Sequence, residues 1–268
     1  MSATKEDVCL ARDVADPIVA AGYGRVRRVA LVGSRAIGTA RTNSDLDLVV
    51  LVELPAGTRP WGAAECLAER DRITRTLRPM PIKAELWLRT LDQYEDFRRV
   101  ECTFEWRVES EGIEIYRSTA VREGVTTRSL DVARRETVLG WASHAMQALT
   151  EAWARENRAA LSGVVAPVAA QRASLLAVIR AVTALLVRHR IHASKHNGTD
   201  EMLARLSTSD HEIATRLRSY LEAHTLTARV AHGVLLTVVR DLTQTYGMVP
   251  VLERIQRRLE KPVVFLSP

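Results

Sequence analysis

The chain has 268 residues, of which 47% are hydrophobic and 26% charged, as in ordinary globular proteins. Its three cysteines, an odd number at separated positions, argue against a disulfide framework and give no zinc-binding pair. The net charge of +6, carried by 34 arginines and only four lysines, favours anionic partners such as nucleotides, RNA or acidic proteins.

The N-terminal half of the chain alternates predicted helices with predicted strands. The predicted helices cover residues 4–22, 61–77 and 91–110, and the predicted strands cover residues 28–32, 46–52, 82–88 and 112–116. Pro17 is expected to bend the first helix, and Pro79 and Pro81 to end the second. This order predicts a compact α/β domain with a small mixed sheet over residues 1–120.

Beyond residue 126 the apolar residues repeat at helical spacing, and no segment has the alternation of a strand. Helices are expected over residues 128–158, around 175–187 and around 230–242, with Asp200 as the N-cap of a further helix. We therefore predict an all-helical bundle domain over residues 127–268, separated from the first domain near residues 119–127.

No apolar run approaches the roughly 20 residues that a membrane-spanning helix needs. The longest candidate, residues 175–187, is interrupted by Arg180, and the first seven residues are polar, unlike a secretory signal. The sequence therefore predicts a cytoplasmic protein that has no membrane partner.

The first segment that indicates chemistry is a predicted strand that runs into Gly33 and Ser34. A glycine permits a sharp backbone turn and the close approach of an anion. The N–H groups of the following short helix, together with the Ser34 hydroxyl, can hold a phosphate. By itself this turn is weak evidence, because most strand-to-helix turns only connect elements.

The second segment is Asp45-x-Asp47 in an apolar strand. Residues two apart on a strand point to one face, so the two carboxylates lie together, roughly 7 Å apart at Cα, while Leu46 and Leu48 face the core. Two neighbouring carboxylates repel each other unless a cation lies between them, and their oxygens suit Mg²⁺. Two such ions, about 3.5–4 Å apart, would serve an in-line phosphoryl displacement. The alternative is a solvated strand face.

Together, Gly33-Ser34, ten intervening residues and Asp45-x-Asp47 resemble the signature of the DNA polymerase β-like nucleotidyltransferase superfamily. The flanking residues are similar to its minimal nucleotidyltransferase branch, which includes aminoglycoside nucleotidyltransferases and partners in toxin–antitoxin pairs. The resemblance covers about residues 25–118 and is specific only over residues 33–48. It implies two Mg²⁺ ions, held by Asp45 and Asp47, and ATP or another nucleoside triphosphate bound through Gly33 and Ser34.

The resemblance also implies a third carboxylate on a later strand, and Glu85 is the candidate, as metal ligand or general base. The alternative is an exposed strand glutamate that pairs with Lys83 or an arginine. Arg35 is a candidate to neutralise departing pyrophosphate, and a solvated arginine on the helix surface fits the sequence equally well. The expected reaction moves a nucleoside monophosphate, AMP from ATP, to an acceptor hydroxyl. The acceptor is an aminoglycoside-like small molecule, a protein or RNA. An aminoglycoside-like acceptor would need an acidic cleft, and the candidates to line it are Asp92, Glu95 and Glu101.

The helical half resembles the HEPN type of bundle, which often accompanies minimal nucleotidyltransferases and occurs in homodimers. Some HEPN domains cleave RNA with an arginine followed four to six residues later by a histidine, a spacing found at Arg218 and His224 and at Arg190 and His196. Lys195 lies in the same polar loop as His196. The alternative function is therefore an RNA-cleaving or RNA-binding protein that the N-terminal domain regulates.

Overall fold

The computed structural model describes residues 3–22, 24–54, 63–75, 77, 83–119, 129–163, 168–192 and 198–261. Its contacts divide the chain into two compact units, residues 1–99 with 103–130, and residues 100–102 with 131–268. The predicted division at residues 119–127 stays a prediction, because residues 120–128 lie outside the described ranges.

The first unit holds four strands and five helices among its described residues. The strands are β1 (Val26–Val32), β2 (Leu46–Val52), β3 (Ala84–Thr90) and β4 (Ile113–Arg117). The helices are α1 (Lys5–Ala21), α2 (Gly33–Ala36), α3 (Ala63–Thr74), α4 (Leu91–Phe97) and α5 (Phe104–Glu111). The strands form one sheet in the order β3-β2-β1-β4, in which β2 and β3 are parallel and the other pairs antiparallel. The predicted α/β fold with a mixed sheet is confirmed.

Each face of the sheet contributes to a buried core. One face presents Leu46, Leu48 and Val50 of β2, with Leu86 and Leu88 of β3, to α1 and α3. The opposite face presents Ala30, Val49 and Leu51 to Tyr94 of α4 and Val108 of α5. Because side chains alternate along a strand, Asp47 lies on the second face, with Val49 and Leu51.

The single helix predicted over residues 91–110 is wrong, because two helices occupy this range. Cys102 has a φ of +65°, a left-handed conformation that a helix cannot contain, and it lies between α4 and α5. The side chain of Thr103 then accepts a hydrogen bond from the Trp106 backbone N–H and caps α5.

Among its described residues the second unit contains helices and no strand, which confirms the predicted class. Its helices are α6 (Leu130–Leu161), α7 (Val168–Arg188), α8 (Thr199–Leu206), α9 (His211–Glu222), α10 (Ala228–Tyr246) and α11 (Pro250–Glu260). The predicted N-cap at Asp200 is wrong, because Gly198 caps α8 and Asp200 lies in its first turn. An acidic residue is also favourable there, beside the positive end of the helix dipole.

Among the described residues one helix, α7, is long and apolar enough to cross a membrane by length and composition. Its 18-residue apolar window is 67% buried within the protein, and it packs against α8 and α10. The buried core helix of a globular protein can have the same length and apolar composition, so these two properties of α7 are weak evidence for a membrane span.

Candidate active site

The sheet register brings the predicted site residues to one end of one face. Because β1 runs antiparallel to β2, its last residue, Val32, pairs with Asp47, near the start of β2. Because β3 runs parallel to β2, Glu85 near its start pairs with the same Asp47. Paired residues on neighbouring strands point to the same face. The turn after Val32, the Asp47 carboxylate and the Glu85 carboxylate are therefore neighbours.

Gly33 lies against the Asp47 carboxylate. Its φ is +73°, a left-handed conformation that favours glycine, and a Cβ placed there would lie 2.2 Å from Oδ2 of Asp47. The sequence predicted a glycine for a turn and for an approaching anion; the anion in contact is the protein's own carboxylate. Ser34 follows in α2, and its carbonyl accepts a hydrogen bond from the Thr39 N–H at 2.8 Å.

Lys83 supplies a cation to the three carboxylates. Its Nζ lies 3.0 Å from Oδ2 of Asp45, and its side chain is largely exposed. The hydrogen bond and charge of Asp45, followed by the charges of Glu85 and Asp47, raise the pKa of Lys83. All three carboxylates therefore act on one ammonium group. The sequence analysis considered Lys83 as a partner of Glu85 and missed its contact with Asp45.

The donor chemistry of this cluster fits magnesium, because carboxylate oxygens are the ligands that Mg²⁺ prefers. Within the described residues, however, no three acidic, cysteine or histidine side chains are placed as a ready-made metal site. Asp45 is bound to Lys83 instead. Lys83 offsets part of the negative charge that a metal ion would otherwise neutralise.

Arg35 is buried, with an exposed fraction of 8%, and is engaged on every nitrogen. Nη1 forms an ion pair with Asp7 of α1, while Nε and Nη2 donate to the Ser44 carbonyl at 3.1 and 2.8 Å. The role of Arg35 toward phosphate stays a prediction, and each of its three nitrogens already donates a hydrogen bond within the protein. Arg35 holds the chain just before Asp45 and thereby positions that residue.

An aromatic cavity of about 480 Å³ lies along β3, on the strand that carries Glu85. Trp87 lines it, is 39% exposed and has its ring centroid 5.6 Å from that of Phe104. Arg89, also in the lining, lies over the Phe104 ring and donates to Glu105 at 3.1 Å. Glu85, Trp87 and Arg89 lie on the same face of β3, because side chains alternate along a strand.

Several sequence candidates are engaged elsewhere or are not described. Glu95 pairs with Arg98 at 2.7 Å, and Glu101 pairs with Arg134 at 3.3 Å. Lys195 and His196 lie outside the described residues. Of the three candidates for the acidic cleft that an aminoglycoside acceptor would need, Glu95 and Glu101 are thus paired with arginines.

The sequence model of the nucleotidyltransferase domain family matches residues 18–93. The chain therefore contains a nucleotidyltransferase domain, and the match includes Gly33, Asp45, Asp47 and Glu85. Among curated proteins no sequence matches the chain.

Two solved structures are similar at low identity. A nucleotidyltransferase-like protein from Exiguobacterium sibiricum is 15% identical with a TM-score of 0.39, over 94% of this chain and 81% of that one. The spectinomycin adenyltransferase AAD(9) from Enterococcus faecialis, solved with ATP and spectinomycin, is 14% identical with a TM-score of 0.31, over 96% of this chain and 100% of that one.

Proposed function

We propose that the protein is a magnesium-dependent nucleotidyltransferase that moves AMP from ATP to an acceptor hydroxyl and releases pyrophosphate. The pairing of Val32 with Asp47 and of Asp47 with Glu85 supports this proposal most, because it gathers the turn and both carboxylates at one place. The nucleotidyltransferase domain match over residues 18–93 supports the same class of reaction. A reaction that consumes ATP also suits a cytoplasmic location.

In this proposal Asp45, Asp47 and Glu85 hold the magnesium, as two ions. Bound magnesium would supply positive charge to the phosphate oxygens. Lys83 forms an ion pair with Asp45 and offsets part of the negative charge of the three carboxylates. Gly33 keeps the backbone close to Asp47, and Arg35 fixes the approach to Asp45.

Two side chains, Ser34 and Glu85, bind the phosphate and accept the proton in the proposed reaction. The Ser34 hydroxyl donates a hydrogen bond to a phosphate oxygen of ATP, and Glu85 accepts the proton of the acceptor hydroxyl. The acceptor oxygen forms a bond to the α-phosphorus while the bond from that phosphorus to the pyrophosphate oxygen breaks. Glu85 lies at the exposed edge of the sheet, where an acceptor can reach it.

Asp47→Asn tests the proposal. The variant keeps the size of the side chain but removes a charge directed at the metal, so transfer should fall at least about 100-fold while the fold persists. The measurement is pyrophosphate release from labelled ATP, with thermal unfolding to check the fold. Asp13→Asn, at an exposed position of α1, is the matched control. Undiminished turnover of Asp47→Asn would contradict the proposal.

The cavity beside Trp87 bears on the acceptor. Its lining includes Arg70 and Arg89 together with Glu105, so a polycation such as an aminoglycoside is a poor match for it. An acceptor with a planar ring or an anionic group, as in RNA or a nucleotide, suits the aromatic and arginine side chains better. Incubation with labelled ATP, Mg²⁺ and a panel of aminoglycosides, proteins and tRNA would identify the acceptor.

The HEPN alternative rests on spacing alone. Nδ1 of His224 donates to the Tyr220 carbonyl at 2.8 Å, and its ring centroid lies 4.7 Å from that of Tyr220, so the imidazole is held against α9. We therefore propose that the helical unit does not cleave RNA. RNA cleavage that survives EDTA and is lost in His224→Ala would overturn this view.

A further inference from the structure

A basic cavity of about 540 Å³ lies within the helical unit, where α6 begins and where α7 and α10 end. Its described lining residues include four arginines, one tyrosine and one carboxylate: Arg134, Arg135, Arg188, Arg190, Tyr246 and Asp131. This volume lies within the range of roughly 300–1,000 Å³ that is usual for small-ligand sites.

Two of the four arginines are neutralised by carboxylates. Arg188 pairs with Asp241, and Arg134 lies 3.3 Å from Glu101 and 3.5 Å from Asp131. Within the described part of the chain, neither Arg135 nor Arg190 has a carboxylate partner; Arg135 donates to the Tyr246 carbonyl at 3.2 Å. The cavity therefore keeps positive charge that the described residues do not neutralise.

Arg134 adds a buried donor. Its exposed fraction is 5%, and among the described residues its Nε has no hydrogen-bond partner. A buried charged donor that lacks an acceptor is unfavourable, and an anion in the cavity would relieve it. Burial raises the pKa of Tyr246, and the positive charges of Arg188, Arg134 and Arg135 oppose that rise.

Arg190 occupies a position that normally favours glycine. Ile191 N donates to the Leu186 carbonyl at 2.8 Å and Arg190 N to the Val187 carbonyl at 3.1 Å, which is the Schellman pattern at the end of α7. The φ of Arg190 is +59°, a left-handed conformation unfavourable for residues other than glycine. A cation is thus kept at the cavity in a conformation that strains its backbone.

We propose that this cavity binds a phosphate monoester of nucleotide size. Guanidinium groups match the oxygens of a phosphate in charge and geometry, and the four here come from two helix ends, the start of α6 and the end of α7. The Tyr246 ring offers a surface on which a base can stack. The described lining residues all belong to the helical unit, and the site is additional to the transfer reaction proposed above.

AMP binding measured by calorimetry, in EDTA, tests the site. The full-length Asp47→Asn protein is used, so that the proposed transferase centre lacks both its metal and one carboxylate. AMP should bind, and Arg135→Ala and Arg190→Gly should each weaken binding about tenfold. Arg216→Ala, at an exposed arginine of α9, is the matched control and should leave binding unchanged.

Arg190→Gly separates binding from folding, because it removes the cation and the backbone strain together. Its melting temperature should rise while its affinity for AMP falls, a combination that unfolding cannot produce. Absence of AMP binding, or wild-type affinity in both variants, would overturn the proposal. Ribose 5-phosphate should bind more weakly than AMP; equal affinity would overturn the assignment of Tyr246 to the base.

The two proposals fail separately. AMP binding in EDTA that depends on Arg135 and Arg190 supports the cavity even if Asp47→Asn leaves nucleotide transfer unchanged. Conversely, transfer that is lost in Asp47→Asn stands even if AMP does not bind in EDTA.

Discussion

Gly33 and Asp47 are in such close contact that any side chain at residue 33 must displace the carboxylate. A Cβ would lie 2.2 Å from Oδ2, in a backbone conformation that is already unfavourable for alanine. We expect Gly33→Ala to lower the free energy of unfolding by about 1 kcal/mol or more and to abolish most nucleotide transfer.

Gly24→Ala is the control for this substitution. Gly24 has nearly the same φ, +75°, but a Cβ there meets nothing within 4 Å. Gly24→Ala should lose stability to a similar extent as Gly33→Ala, as measured by urea unfolding. Its transfer activity, measured by pyrophosphate release, should be unchanged. Equal loss of activity in both variants would show that backbone strain, and not the Asp47 contact, matters.

Lys83 leads to a prediction about metal affinity. Its ammonium occupies Oδ2 of Asp45, so it competes with a cation for that carboxylate. Lys83→Ala should therefore tighten Mn²⁺ binding severalfold in the absence of nucleotide, as measured by electron paramagnetic resonance. Lys5→Ala, an exposed lysine of α1, should leave the affinity unchanged. Weaker Mn²⁺ binding in Lys83→Ala would contradict the competition.

Helix α1 and the short helix α2 are joined by one carboxylate. Asp7 accepts hydrogen bonds from the Thr4 N–H and hydroxyl, which completes the N-terminal cap of α1, and it pairs with Arg35 of α2. Burial opposes ionisation, but the hydrogen bonds from Thr4 and Arg35 prevail and lower the pKa of Asp7.

Because the folded chain releases this proton at lower pH than the unfolded chain, Asp7 contributes its full stability above its unfolded pKa. That contribution is lost as the pH falls through the lower pKa of the folded state. Asp7→Asn should therefore lower the free energy of unfolding by about 3 kcal/mol near neutral pH. In the variant, this free energy should also decrease less than in the wild type as the pH is lowered toward about 3. Urea unfolding at several pH values measures both effects, and Asp13→Asn should change neither.

For the whole molecule, the two proposed sites predict two separate patterns of ligand protection. Mg²⁺ with a non-hydrolysable ATP analogue should slow amide exchange around residues 33–47 and 84–89 of the first unit. AMP in EDTA should slow exchange around residues 131–135 and 188–190 of the second. Hydrogen–deuterium exchange with mass spectrometry distinguishes the patterns. If both ligands protected only residues 33–47 and 84–89, the proposal of a second site in the helical unit would be wrong.

The sequence determined the features that depend on neighbouring residues. The alternation around Asp47 fixed a strand with Leu46 and Leu48 in the core, and Gly33 marked the turn that follows the preceding strand. Helical spacing in the second half was sufficient to identify a helical unit. Such patterns are readable because side-chain direction along a strand or helix is set by the local backbone.

Only the tertiary structure decided which distant residues meet. The pairing of Glu85 with Asp47 depends on strand register, and the burial of Arg35 depends on Asp7 and Ser44, residues that no local pattern connects to it. The break at Cys102 and the four arginines around Tyr246 likewise follow from packing. Contacts of this kind depend on many competing interactions between segments that are distant in sequence, and the fold of lowest free energy decides among them. The local periodicity depends only on the backbone of each segment.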